Sequence, residues 1–246
     1  MSYDYQKFWN IFGDAAWYNP SQRHRFRLIL REVEGLLASS TAGKPFRLLD
    51  LGCGKGHLIV LLQQKFSSLQ CSGIDISESA IAALKEKVPQ VEWKAGDIQK
   101  PLPQNEAFDL VICSEVLEHC EQVSPILDNI AALTKPGGFI LITLPGGTRY
   151  RIDETLGHLR HYTLEQVRGI FGSRPGLKVV KAFSWGFPFL NLMRWMTHLF
   201  HGYVVQDFLD KPYSFRQKAV CEFLYRLMFI HVPGSGIQRF VLFQKK

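Results

Sequence analysis

The chain has 246 residues, 46% apolar and 21% charged, with 29 basic against 22 acidic side chains for a formal net charge of +7. This is length for one large domain over residues 1–246 with a full core and some appended structure. The opening Met-Ser-Tyr-Asp-Tyr lacks the basic and apolar regions of a signal peptide and no run is long enough to span a bilayer, so a cytoplasmic protein is expected.

The five cysteines, 53, 71, 113, 120 and 221, are scattered without the close pairs of a zinc site and read as reduced, buried thiols. The positive balance suits nucleic acid, an anionic membrane surface or an acidic substrate, and no Lys/Arg block is dense enough to choose among them. Tyr3 to Phe12 alternates aromatic and polar residues, and Asn19-Pro20-Ser21 then marks a helix start with Pro at the first helical position. The spacing of Phe26, Ile29, Leu30, Val33, Leu36 and Leu37 predicts a helix from Pro20 to Leu37, with Arg23, Arg25, Arg27 and Arg31 largely on its solvated surface. A polar loop, Ser39 to Lys44, leads to an apolar strand that runs from Phe46 into Gly52, Gly54 and Gly56 and on to a helix ending near Phe66.

Strand and helix then alternate, which implies a parallel sheet. Strands are predicted at Gln70–Ile76, Val91–Asp97, Phe108–Ser114 and Gly138–Leu144, the third of these apolar enough to be buried on both faces. Ser77 caps a helix from Glu78 to Val88. A second helix is expected over Glu118–Lys135, irregular at Pro125 and stopped by Pro136-Gly137. A polar stretch, Gly146 to Tyr162, ends at Thr163-Leu164-Glu165-Gln166, which has the form of a capping box. Leu177–Phe183 and Ile237–Gln244 read as the last two strands, separated by a long insert over 184–234. Within it Pro188–Val204 is amphipathic, with Phe189, Leu192, Met193, Met196 and Phe200 on one face, and a second helix is predicted over Phe215–Phe229.

Closely spaced glycines after a strand let backbone approach a ligand where a Cβ would collide. The dinucleotide fingerprint needs a third glycine at the position held by His57, so that reading, and with it a dehydrogenase, is disfavoured. The pattern Asp50-x-Gly52-x-Gly54-x-Gly56 instead resembles the first motif of the class I S-adenosylmethionine-dependent methyltransferases. Three more motifs stand at successive strand ends: Gly-Ile-Asp75-Ile76, Ala-Gly-Asp97-Ile98, and Phe108 to His119 with Ser114 and Glu115. Each alone reads as a turn; in this order they carry the resemblance, over Phe46 to Leu144.

The resemblance implies an α/β, Rossmann-like doubly wound sheet of seven strands in the order 3-2-1-4-5-7-6, the last antiparallel, with the helical insert between strands 6 and 7. It implies S-adenosyl-L-methionine as cofactor. Asp50, Gly52, Cys53 and Gly54 would meet its amino-acid end, Asp75 its ribose, Asp97 with Ile76 and Ile98 its adenine, and Ser114 its sulfonium. Residues 1–40 occupy the place of a helical lid, with Trp17, Tyr18 and Arg23 as its closing side chains. Glu115-Val-Leu-Glu118-His119 and Gly157-His158-Leu-Arg-His161-Tyr-Thr resemble most closely the small-molecule branch that includes the ubiquinone-pathway O-methyltransferases.

Those histidines admit three readings. They satisfy local backbone as structural groups, or His158 or His161 acts as general base on the acceptor hydroxyl. In the third, Glu115, Glu118, His119 and His158 resemble the metal tetrad of small-RNA 2′-O-methyltransferases and hold a divalent cation. The expected activity is methyl transfer to oxygen on a small lipophilic acceptor, covered by the insert. RNA 2′-O-methylation or a non-catalytic cofactor-binding module is the alternative. A nucleic-acid partner is disfavoured, because the insert is apolar where a nucleotide groove is basic. With Arg194 and Lys211 nearby, the helix over 188–204 is also expected to make weak peripheral contact with an anionic membrane.

Overall fold

A computed structural model describes residues 15–40, 45–103, 107–172, 174, 176–209 and 212–246; the stretch Tyr3–Phe12, most of the loop before the first strand, and Lys211 lie outside them. A short helix, α1 (Ala15–Tyr18), precedes α2 (Pro20–Ser39), whose start is fixed as expected by Asn19, its side chain accepting from Ser21 and Gln22 N–H. The alternation follows: β1 (Arg47–Leu51), α3 (His57–Lys65), β2 (Gln70–Asp75), α4 (Glu78–Lys87), β3 (Glu92–Ala95) and β4 (Phe108–Ser114). Then come α5 (Ser124–Leu133), β5 (Thr134–Pro145), α6 (Arg151–Thr155), α7 (Leu164–Gly172) and β6 (Leu177–Trp185). The insert holds α8 (Phe189–Leu199), α9 (His201–Val204) and α10 (Phe215–Leu227), and β7 (Gln238–Lys245) closes the sheet.

The seven strands lie in the order 3-2-1-4-5-7-6, with β7 antiparallel to both β5 and β6, as the resemblance implied. Side-chain alternation along the central strands divides the core in two. Leu48 of β1 and Leu110 and Ile112 of β4 face Ile29 and Val33 of α2 and Ile59 and Leu62 of α3. Leu49, Leu51, Val111 and Cys113 face the opposite way, onto Ile126 and Ile130 of α5. Each such side chain, fully withdrawn from water, contributes about 1.5–3 kcal/mol. All five cysteines are unpaired and buried, in line with the reduced reading.

The structure departs from the sequence expectation in four places. The helix predicted over 118–135 is two elements: a single 3-10 turn at Leu117–His119, and then α5, in which Pro125 lies in the first turn, where no N–H is needed. The Lys135-Pro-Gly-Gly138 stretch does not stop the helix; it forms a bulge inside β5, which pairs with β4 at Thr134 and resumes at Phe139. Pro is tolerated there because a bulge needs no ladder donor. The helix predicted over 188–204 breaks at Phe200, and the polar stretch after β5 contains α6.

Candidate active site

The turn after β1 is built on backbone geometry only glycine supplies cheaply. Gly52 has φ 79° and a Cβ there would sit 2.5 Å from Val116 Cγ2. Gly52 and Cys53 N–H both bond to the Ile74 carbonyl at 2.8 and 3.0 Å, tying the turn to β2. Asp75, at the end of β2, accepts from Gly54 N–H at 2.8 Å and Ser77 N–H at 2.9 Å. Burial raises its pKa, opposed by these same bonds. Asp50 lies deeper; burial and the neighbouring Asp75 push its pKa up to about 7.

A cavity of about 810 Å³ opens at this end of the sheet. Gly52, Asp75, Ile76, Asp97 and Ile98 line it, so five of the sequence-predicted cofactor residues are brought together on one wall. The other four stand behind that wall. Asp50 and Cys53 are buried, and the Gly54 N–H is taken by Asp75. Ser114 bonds Thr143 Oγ1 at 2.8 Å, and its neighbour Glu115 reaches the cavity instead.

Glu115 carries the one positive φ found at a non-glycine among the described residues, 57°. Such strain persists only where surroundings hold it. Its carboxylate accepts from Thr143 Oγ1 at 3.2 Å and from Gln238 Nε2 at 2.9 Å, and lies 3.3 Å from Arg25 Nη1. Of the segment expected to form a lid, the side chains named for closure, Trp17, Tyr18 and Arg23, do not line the cavity. Arg23 pairs with Glu222 of α10 at 2.7 Å and Trp17 packs edge-on against His57, while Arg25, Gln22 and Asn19 face the cavity.

Opposite stands a histidine cluster. His119 Nδ1 donates to Gly157 O at 3.2 Å, and His161 Nδ1 to Gly147 O at 3.2 Å. A neutral His161 then accepts at Nε2 from His158 Nδ1 at 3.1 Å, which leaves His158 a lone pair on Nε2. Burial, then His119, His161 and the nearby arginines, hold the His158 pKa down at about 2, so it is neutral. Of the two predicted catalytic residues, His158 lines the cavity and His161 supports it from behind.

Glu118 is 0% exposed, and neither carboxylate oxygen has a hydrogen-bond partner among the described residues. Burial and then Glu115 raise its pKa well above the usual carboxylate range. Potential ligand atoms of Glu118, His119 and His158 lie within 4.8 Å of one another. Glu115, the fourth member of the predicted tetrad, is engaged by Arg25 and Gln238 instead.

Sequence reasoning missed four residues. Asp153, 0% exposed, accepts from Tyr150 N–H at 2.8 Å and pairs with Arg194 of α8, with His158 and His161 at 3.7 and 3.8 Å. Arg25 was readable: it stands four residues before Ile29 and eight before Val33, on the buried stripe of α2. Gln238 shares the period-2 face of Phe240 and Leu242. For Asp153 and Arg194, 41 residues apart, no local pattern exists.

Residues 21–182 match the methyltransferase domain family. The chain is 30% identical over 129 residues to a trans-aconitate 2-methyltransferase of Variovorax paradoxus, covering 52% of this chain and 50% of that protein. It is 31% identical over 134 residues to a ubiquinone biosynthesis O-methyltransferase of Coxiella burnetii, covering 52% and 56%. It thus spans about half the length of the curated relatives it matches. Among solved structures, a putative sarcosine dimethylglycine methyltransferase of Galdieria sulphuraria aligns with TM-score 0.62 at 16% identity, over 92% of this chain and 87% of that one. An N-methyltransferase of Bradyrhizobium japonicum in complex with S-adenosyl-L-homocysteine aligns with TM-score 0.58 at 19% identity, over 98% and 97%. At these identities the structures speak to the fold.

Proposed function

The chain belongs to the class I S-adenosylmethionine-dependent methyltransferases, and from that premise we propose that it transfers a methyl group to an oxygen of a small, lipophilic acceptor. The observation that carries the reading is the composition of the cavity. One wall holds Gly52, Asp75 and Asp97, and the other, from the insert, holds Phe189, Leu192, Met193, Met196, Phe200 and Leu224. Gly52, which lines the cavity and where a Cβ would collide with Val116 beside it, and the carboxylate of Asp75 fit the methionine half and the ribose of S-adenosylmethionine. Arg25 supplies a buried positive charge for the donor's carboxylate, and Ile76 and Ile98 flank the place for adenine. When bound, the donor supplies an electrophilic methyl on sulfur. What remains to this chain is to exclude water, align the acceptor and deal with its proton.

For that proton a divalent-cation reading is favoured over a general base. Burial, the neighbouring histidines and the nearby arginines all disfavour a protonated His158, which makes it a weak acceptor for a hydroxyl proton. The same neutral imidazole is a suitable ligand, and the unpartnered Glu118 carboxylate is the kind of buried charge a cation satisfies. Glu118, His119 and His158 would hold the ion, whose chemistry there is to lower the pKa of the acceptor hydroxyl. His161 and Asp153 keep His158 oriented, and Glu115 is held for the sulfonium side by Arg25 and Gln238.

The test is transfer of radiolabelled methyl to a panel of phenols, quinone precursors, fatty acids, amines and small RNA. Labelling of alkyl-substituted phenols or quinols above the rest is expected. Labelling of RNA alone, with a steep salt dependence, would refute the small-molecule reading.

A further inference from the structure

The apolar lining of the cavity does not end at its mouth. Leu192, Met196, Phe200, Tyr203 and Val220 line the cavity and are also exposed, so the opening itself is apolar. Outside that rim α8 exposes Trp195 and Leu199, and α10 exposes Phe215 at 86% and Phe223 at 62%. Phe215, Ala219, Phe223 and Arg226 follow one another at helical spacing, forming an outward stripe on α10, while Val220, Leu224 and Leu227 of the same helix turn inward to the cavity. Single exposed apolar side chains are ordinary; a cluster around a cavity mouth marks a docking surface.

The charge on this surface is positive. α10 carries Arg216, Lys218 and Arg226 against one carboxylate, Glu222, which Arg23 and Arg226 share. On the adjoining side Arg23 and Arg27 of α2 lie over the rings of Tyr225 and Phe229, at 3.9 and 4.1 Å. Exposed Phe, Trp and Tyr interleaved with Arg are the composition of a surface that lies in a lipid interface. Among the described residues no helix is long and apolar enough to cross a membrane, so the contact is peripheral.

We infer that this face docks on an anionic bilayer, with the cavity mouth set against the acyl region so that acceptor enters from the lipid. The inference rests on the lipophilic-acceptor reading for its purpose, and on the exposed surface for its substance. It extends the contact expected for 188–204 to α10, which supplies the most exposed aromatics and most of the charge. A second copy of the chain on the same face would close the mouth to acceptor and product alike. A fluid bilayer leaves the mouth open to its own apolar phase.

The test uses the purified full chain and vesicles of phosphatidylcholine, with and without phosphatidylglycerol, at low and high salt, the bound fraction being read by sedimentation. Binding to the anionic vesicles, weakened by salt, is expected, with partitioning reduced about tenfold or more by Phe215→Ser with Phe223→Ser. Arg216→Glu with Arg226→Glu should lose the anionic preference. Neither pair touches the cavity wall, and calorimetric affinity for S-adenosylmethionine should be unchanged in both. Wild-type chain that stays in the supernatant with anionic vesicles overturns the inference. So do Ser variants that bind like wild type, or a solution dimer that they dissociate. No acceptor enters the assay, so failure here leaves the proposed activity standing, and absence of methyl transfer leaves the vesicle result standing.

Discussion

Replacing Glu118 with Gln separates a cation site from a buried acid without relying on turnover. Glu118 is fully enclosed with both oxygens unpartnered, so in the cation-free protein burial and Glu115 keep its pKa raised and the group holds its proton. The unfolded chain releases that proton near pH 4.3, so above about 4.3 the folded state binds more protons and stability falls as pH rises toward the folded pKa. Glu118→Gln removes this slope. A cation reverses the logic, since it binds the charged form and stabilises by mass action, about 2.7 kcal/mol at a hundred times its dissociation constant. For a chain of 246 residues that is a rise in melting temperature of about 5–10 °C. Scanning calorimetry in EDTA and then in Mg²⁺, Mn²⁺ or Zn²⁺ reads it directly. The wild type should gain and Glu118→Gln should not. An equal gain in both proteins, or none in wild type with any of the three ions, refutes the site.

Asp75→Ala should weaken S-adenosylmethionine by about 2–3 kcal/mol, roughly 30- to 150-fold by calorimetry, because it removes a charged acceptor and frees the Gly54 and Ser77 N–H groups it holds. Asp75→Asn, which keeps one acceptor, should lose less. His24 is buried with neither ring nitrogen partnered among the described residues, and burial, then Arg27 and His231, hold its pKa down at about 4. Its stabilising effect is full above the unfolded value of about 6.5 and falls away as pH drops toward 4, by about 3 kcal/mol in all. His24→Phe should flatten the acid limb of urea-melt stability over that window; an unchanged limb would show that His24 does not carry it.

The parts of the fold that were legible in sequence are those where one physical demand fixes residue type locally. The middle of β4, Leu110 to Cys113, is apolar because both its faces are buried, and Gly52 and Gly56 answer a positive φ and side chains packed where a Cβ would stand. The Pro136-Gly137 pair misled because the same residues that end a helix also make a bulge, and only the neighbouring strand decides between them. In the site, acidic residues at strand ends were legible as a set, but which of them faces the cavity was not. Ser114 and Glu115 are adjacent, and it is the second, at a positive φ, that lines the cavity. Arg25 has the register of the buried stripe of α2, yet as one of four arginines within nine residues it reads as part of the solvated face.

Asp153 and Arg194 tie the histidine cluster to α8, the helix that lines the cavity opposite the glycine turn. Asp153 is wholly enclosed, and the Arg194 guanidinium is the one Lys or Arg side chain paired with it among the described residues. Arg194→Ala leaves that carboxylate buried and uncompensated at a cost of about 3–5 kcal/mol, a fall in melting temperature of roughly 10 °C or more. Part of the cost should vanish when Asp153→Asn is added, because the stranded charge is then gone. A loss of packing alone would instead add to whatever Asp153→Asn costs by itself. Turnover should fall in Arg194→Ala with S-adenosylmethionine affinity kept, since Asp153 stands beside His158 and His161 and away from the glycine turn. Arg194→Ala that melts like wild type and turns over normally would mean the helix covers the cavity without governing the histidines beneath it.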